Sequence, residues 1–292
     1  MEIAIICVPY QNDVARWGMA RGPQAFLDAG LVDALRATGH HTLEPVWIEL
    51  PRSERTRDTV TNLGNLARRT AAEVELALRR PDETFVVVLE GNCTHALGPL
   101  GGLAQVKGTP GIAWFDAHAD MHTMQTTTTG LLGGMPYAVA LGWEFPDWRE
   151  AAGLDHPVRP QAAALIGTSD LDPEEVAALT HHPILHIDAS ALMEAGARER
   201  VAQAIRPRAR EAATWYLHID LDVAGPQVVP GAMTPAPYWP PRHHLVEAVA
   251  AVTRSVPVAV VSLAAYNPEQ DQQRLGAAFG IDMLMAVIAN KE

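Results

Sequence analysis

Gly111-Ile112-Ala113-Trp114-Phe115-Asp116-Ala117-His118-Ala119-Asp120 is the stretch that decides how this chain folds. An apolar run without polar alternation reads as a strand buried on both faces, the kind found in parallel sheets. Where the run ends, a carboxylate, an imidazole and a second carboxylate fall at alternate positions. Residues two apart in extended chain face the same side, so Asp116, His118 and Asp120 can converge.

Outward from this stretch the pattern repeats. Candidate strands lie near Ile3–Val8, Thr42–Trp47, Thr84–Glu90, Ala162–Gly167, Ile184–Ile187, Trp215–Asp220 and Val256–Ser262. Between them, Pro23–Ala37, Leu63–Leu78, Ala191–Ile205 and His244–Thr253 carry helical spacing. Pro23 suits a first helical turn and Gly39 suits the position just past a helix end. Strands alternating with helices predict a three-layer α/β/α fold around a central parallel sheet of about eight strands. With no linker, repeat or low-complexity tract, residues 1–292 read as one catalytic domain.

Composition narrows the function. The formal charge of −12 argues against a nucleic-acid footprint and suits a binder of small cations, although acidic balance mostly reflects solubility. The apolar stretches Val86–Leu89 and Val256–Ala265 are too short to cross a bilayer, and Met1–Pro9 has no basic leader, so no membrane partner is expected. Two cysteines, Cys7 and Cys93, give no disulfide framework, which points to a cytoplasmic protein.

In sheets of this kind, ligands sit beyond the carboxyl ends of the strands, and there the polar residues collect. Asp220-Leu221-Asp222 ends the strand Trp215–Asp220, and Glu90 and Cys93 follow Phe85–Leu89. Four buried carboxylates would repel one another and take up protons; divalent cations remove that objection. Carboxylates with one imidazole suit a hard or borderline ion such as Mn²⁺. Either motif alone is also an ordinary polar loop or helix cap, and the case rests on their joint placement. His122 reads as lying behind the ligands or exposed, and His40-His41, His181-His182 and His243-His244 read as surface pairs.

Trp114–Asp120 resembles the Asp-Ala-His-x-Asp signature of the ureohydrolase (arginase and agmatinase) family, and His218–Val223 resembles its Ser-x-Asp-x-Asp signature. Gly134-Met135-Pro136, Ile166-Gly167, Asp170–Pro173, Pro230-Gly231, Thr234-Pro235 and Tyr266-Asn267-Pro268 follow in family order. The resemblance implies two Mn²⁺ ions bridged by Asp116 and Asp220. Asp120 and Cys93 would bind one, His118 and Asp222 the other. A water shared by the ions would be activated as a metal-bridging hydroxide to attack a guanidinium carbon, with Asp120 as the catalytic proton carrier. It further implies a small cationic guanidino substrate met by Asp172 and Glu175, and a homo-oligomer, trimer or hexamer. Asp172–Glu175 is equally an ordinary helix start.

The chain also departs from that pattern. Cys93 stands where the family has a histidine ligand, with His95 as a possible substitute. Gly133 takes the place of the proton-shuttle histidine. Ala265 replaces a glutamate facing the guanidinium, a loss that Glu269 or Glu90 would have to make good. Gly225 and Leu131 replace an aspartate and an asparagine. Cys93 with Leu132-Gly133-Gly134-Met135 resembles the branch that hydrolyses Nω-hydroxy-L-arginine. The expected function is amidinohydrolysis releasing urea or hydroxyurea. The alternatives are hydrolysis of another amidine or formimino compound, or non-catalytic binding of a small molecule.

Overall fold

The computed structural model describes residues 1–232, 234 and 236–290, so Pro235 of the Thr234-Pro235 step lies outside the described residues. Nine strands form one sheet in which every pairing is parallel. They are β1 (Glu2–Val8), β4 (His41–Thr42), β5 (Val46–Trp47), β6 (Thr84–Glu90), β7 (Gly111–Phe115), β8 (Ala163–Thr168), β9 (Leu185–Asp188), β10 (Trp215–Asp220) and β11 (Val258–Ala264). A separate hairpin pairs β2 (Tyr10–Gln11) with β3 (Val14–Ala15). The order across the sheet is β4-β1-β6-β11-β10-β7-β8-β9, with β5 also on β1.

Two helical layers cover the sheet. Helices α1 (Gly22–Asp28), α2 (Leu31–Ala37), α8 (Ala189–Met193), α9 (Ala197–Ile205), α10 (Arg242–Ser255) and α11 (Leu275–Ile288) bury Phe26, Leu35, Leu192, Val201, Val249 and Phe279 against one face. Helices α3 (Thr59–Leu78), α4 (Leu97–Lys107), α5 (Pro136–Ala140), α6 (Pro146–Ala151) and α7 (Pro173–His181) lie on the other, with Leu66, Leu100, Tyr137 and Trp148 in its core. The three-layer architecture is the one the sequence predicts. No helix among the described residues is long and apolar enough to cross a membrane.

The differences are local and have causes. The predicted strand Thr42–Trp47 is two short strands, because Pro45 between them has no N–H to give a ladder. The predicted helix Pro23–Ala37 breaks at Gly30, whose φ of 90° no helix accommodates. Helix α4 is absent from the sequence reading because Gly98, Pro99, Gly101 and Gly102 resemble breakers. They serve close approach instead: a Cβ at Gly101 would stand 1.8 Å from the Ala152 carbonyl oxygen.

This topology places the site. Strands β6, β11, β10 and β7 are neighbours at the centre, although the chain visits them in a different order. Their carboxyl ends bring Cys93, Ala265, Asp220 and Asp116 to one rim of the sheet.

Candidate metal centre

Asp116, Asp220 and Asp222 are at least 95% buried at the ends of β7 and β10. Their side chains are aimed by local hydrogen bonds. Asp116 accepts from the Trp114 indole (2.9 Å) and the His118 backbone N–H (2.7 Å), and Asp220 accepts from the Asp222 backbone N–H (2.8 Å). Asp222 accepts from the Ala117 N–H at 3.3 Å, which ties the two motifs together.

Two groups of possible ligands result, with the donor atoms of each within 4.8 Å of one another: Cys93–Asp116–Asp220 and Asp116–His118–Asp222. Asp116 belongs to both. The Cys93 thiol donates to Asp220 Oδ2 (2.8 Å), and His118 Nδ1 lies 3.1 Å from Asp222 Oδ2 and 3.3 Å from Asp116 Oδ1. His118 Nε2, by contrast, is buried without a hydrogen-bond partner among the described residues. Asp120 lies beside them in a left-handed conformation (φ 52°), a geometry that Asp and Asn tolerate better than most residues. Its backbone carbonyl accepts the Tyr137 and Ala138 N–H groups that open α5.

The electrostatics are those of a cation trap. Burial, then the neighbouring Asp222, raises the Asp116 carboxyl to about 6. Burial and adjacent carboxylates also push Asp120 and Asp220 well above the usual range, and the Cys93 thiol upward. Burial opposes a charged His118, but hydrogen bonds and Coulomb attraction from Asp116 and Asp222 outweigh it and raise it to about 12. The cluster thus demands positive charge, which protons supply in the ion-free protein. Three carboxylates, an imidazole and a thiol in two groups that share a carboxylate fit a pair of divalent cations.

This charge balance has a pH consequence. Asp116 holds its proton more tightly folded (about 6) than its ordinary 3.8. The resulting stabilisation is complete below the lower value and gone once pH passes the upper one; Asp120 and Asp220 act in the same sense. The ion-free protein is expected to lose melting temperature as pH rises from about 4 to about 6, and divalent cation to restore it. Calorimetry with and without cation checks this; an ion-free melting temperature flat over that window would contradict it.

A cavity of about 350 Å³ opens above the two groups. Cys93, His118, Asp120, Asp220 and Asp222 line its floor, and Asp170, Asp172, Glu175, His122, Gly133 and Ala265 line its walls. Among the described residues no Lys or Arg lines it. Glu175 closes the capping box of α7 on the Asp172 N–H (3.1 Å) and also lines the cavity. A Cβ at Gly133 would meet no atom of the described residues nearer than Asn92 Nδ2 at 3.9 Å, so this position opens on space. Ala265 adopts φ 64° at the cavity wall.

Several expectations need correction. Glu269 does not reach the cavity; it is half-exposed and pairs with Arg21 at 2.9 Å. Glu90 is fully buried, accepts from Ser262, and lines no part of the cavity. Neither replaces the lost glutamate. His95 is no substitute ligand, because its Nε2 bonds the Tyr10 carbonyl at 2.8 Å, outside both groups. His122 is a wall residue paired with Asp172 at 3.0 Å. Of the three surface pairs, His181-His182 is exposed, while His244 is half-buried and bonds the Leu192 carbonyl.

Asp170 and His218 are the residues the sequence reading passes over. Asp170 Oδ2 stands 4.0 Å from His118 Nε2. His218 is fully buried and stacks on Trp114 (centroids 3.7 Å, planes 22° apart), with Nε2 3.2 Å from Cys93 Sγ. Strand alternation from Asp220 would have flagged His218, since residues two apart share a face.

Comparison with known proteins now decides the family. The sequence model of the arginase family matches residues 1–289. The chain belongs to the arginase family. An arginase of Bacillus caldovelox is 30% identical to this arginase-family chain over 249 residues, covering 80% of each. The crystal structure of arginase from Bacillus subtilis superposes with TM-score 0.88 at 22% identity, covering 99% of this chain and 98% of that one. Formimidoylglutamase from Bacillus subtilis shares the fold at TM-score 0.77 and 18% identity, over 99% of this chain and 87% of its own. Arginase-family membership makes this protein a hydrolase of C–N bonds in linear amidines.

Proposed function

We propose that residues 1–292 form one catalytic domain that hydrolyses a guanidino or N-hydroxyguanidino compound, releasing urea or hydroxyurea. The observation that carries this reading is the pair of ligand groups sharing Asp116 at the floor of a carboxylate-walled cavity. Two Mn²⁺ ions bound by Cys93, Asp116, His118, Asp120, Asp220 and Asp222 would supply an activated water and stabilise developing negative charge. Asp120 accepts the proton of the attacking water on its carboxylate and returns it to the leaving nitrogen. Asp172 and Glu175 hold an ammonium group at the far end of the substrate, and the absence of Lys and Arg from the walls among the described residues favours a cationic ligand.

Gly133 and Ala265 bear on which guanidine fits. With no imidazole at 133 and no carboxylate at 265, the walls give little help to a strongly basic guanidinium. An N-hydroxyguanidine is less basic and needs less proton transfer, which supports the Nω-hydroxy-L-arginine branch. The same two residues favour, as a second reading, another amidine such as a formimino compound. Family resemblance adds a homo-oligomer of three or six chains, and two cysteines without a disulfide framework favour a cytoplasmic home.

The test is urea or hydroxyurea release by the Mn²⁺-loaded protein from arginine, Nω-hydroxyarginine, agmatine and guanidinobutyrate. Release from Nω-hydroxyarginine above the other three is expected. Silence across all four, with two ions bound, would overturn the guanidine reading in favour of another amidine or a binding role.

A further inference from the structure

Below the floor of the cavity runs a second row of polar side chains, Glu90, Tyr216, His218 and Ser262, outside the cavity lining. Sheet register puts Ser262, His218 and Trp114 side by side on β11, β10 and β7, one pleat beneath Ala264 and Asp220. Four buried polar groups join hands there and end against the Cys93 thiol. Cys93 Sγ lies 3.2 Å from His218 Nε2, and His218 Nδ1 lies 2.9 Å from the Tyr216 hydroxyl. Tyr216 donates to Ser262 Oγ (2.8 Å), and Ser262 donates to Glu90 Oε1 (3.0 Å). Glu90, Tyr216, His218 and Ser262 are each fully buried.

Burying such a row costs free energy unless it is satisfied and does something. It ends on Cys93, the position at which this chain carries sulfur where family resemblance leads one to expect imidazole. Its last member, His218, stands where the family motif has serine. Two departures far apart in sequence therefore meet at 3.2 Å. His218 is outside both ligand groups, so it is a partner of the sulfur and not a further ligand. Stacking on Trp114 fixes the ring plane, and the Tyr216 hydroxyl fixes the ring from behind. An anchored imidazole of this kind restricts where a ligand atom can sit.

Resting on the dinuclear reading above, we propose that Cys93 and His218 act as one unit that makes the two metal positions unequal. His218 is a positioning residue that holds the sulfur toward Asp116 and Asp220, so the Cys93 position prefers a thiophilic borderline ion such as Co²⁺ or Zn²⁺. The Asp116–His118–Asp222 position keeps an all-oxygen-and-nitrogen donor set suited to Mn²⁺.

The experiment titrates the ion-free full chain with Co²⁺, following optical absorption and counting bound ions. Two ions per chain are expected, one of them with a sulfur-to-cobalt charge-transfer band. Excess Mn²⁺ should displace the ion without the band first. Cys93→Ser should abolish the band and leave the other ion. His218→Asn should weaken the band-bearing ion by about 10–100-fold and spare the other. Tyr216→Phe, which keeps the ring and removes the hydroxyl, should weaken it in the same sense by a smaller factor, and it decides the matter if His218→Asn does not fold. Two bound ions with no charge-transfer band, or unchanged affinity for the band-bearing ion in the folded variants, would overturn the inference alone. Fewer than two ions in the unaltered chain would overturn the dinuclear reading and this inference with it.

Discussion

Asp120→Asn should lower turnover by about 10²–10⁴-fold while leaving the fold intact. The size follows from what the change removes: the one carboxylate at the cavity floor assigned to carry the proton from water to leaving group. Retention of the fold follows from the backbone. Asp120 opens α5 with its carbonyl, which accepts the Tyr137 and Ala138 N–H groups, and asparagine leaves that carbonyl in place. The φ of 52° at this residue is also tolerated by asparagine. Steady-state kinetics with circular dichroism on the same sample would check both halves. Turnover within tenfold of the unaltered enzyme would remove Asp120 from the mechanism.

Stripping divalent cation with a chelator should silence the enzyme and lower its melting temperature by about ten degrees or more. The cause is the cluster of raised carboxyls. Asp116, Asp120 and Asp220 are buried together, and burial reinforced by neighbouring carboxylates makes each resist ionisation. Binding of an ion to the folded state alone contributes about 4 kcal/mol per site when free ion stands at a thousand times Kd. Re-addition of Mn²⁺ should restore both activity and melting temperature. A chelated protein with undiminished activity would contradict the account.

Much of this was legible in the sequence because the informative segments obey simple rules. Phe85–Leu89 and Ile112–Phe115 are apolar without interruption and bounded by polar residues, the pattern of strands in a covered parallel sheet. Alternation past the strand ends then places Asp116, His118 and Asp120 together, and likewise Asp220 and Asp222. What escaped the sequence depends on contacts between distant segments. Helix α4 looks broken because its glycines exist to admit Thr70, Val74 and Ala152. Glu269 and Glu90 lie near site residues in sequence, yet Arg21 draws one outward and Ser262 holds the other beneath the floor. His218 is found only by following the strand period back from Asp220 and seeing which side chain lies on the neighbouring loop. The family resemblance located Cys93 as a departure, but only the fold supplied its partner.

The most direct test of the account is anomalous diffraction from crystals of the full chain soaked in Mn²⁺. It predicts two peaks flanking the Asp116 carboxylate, one toward Cys93 and Asp220 and one toward His118 and Asp222. A single peak, or peaks away from Asp116, would contradict the shared-carboxylate centre on which the proposed hydrolysis depends.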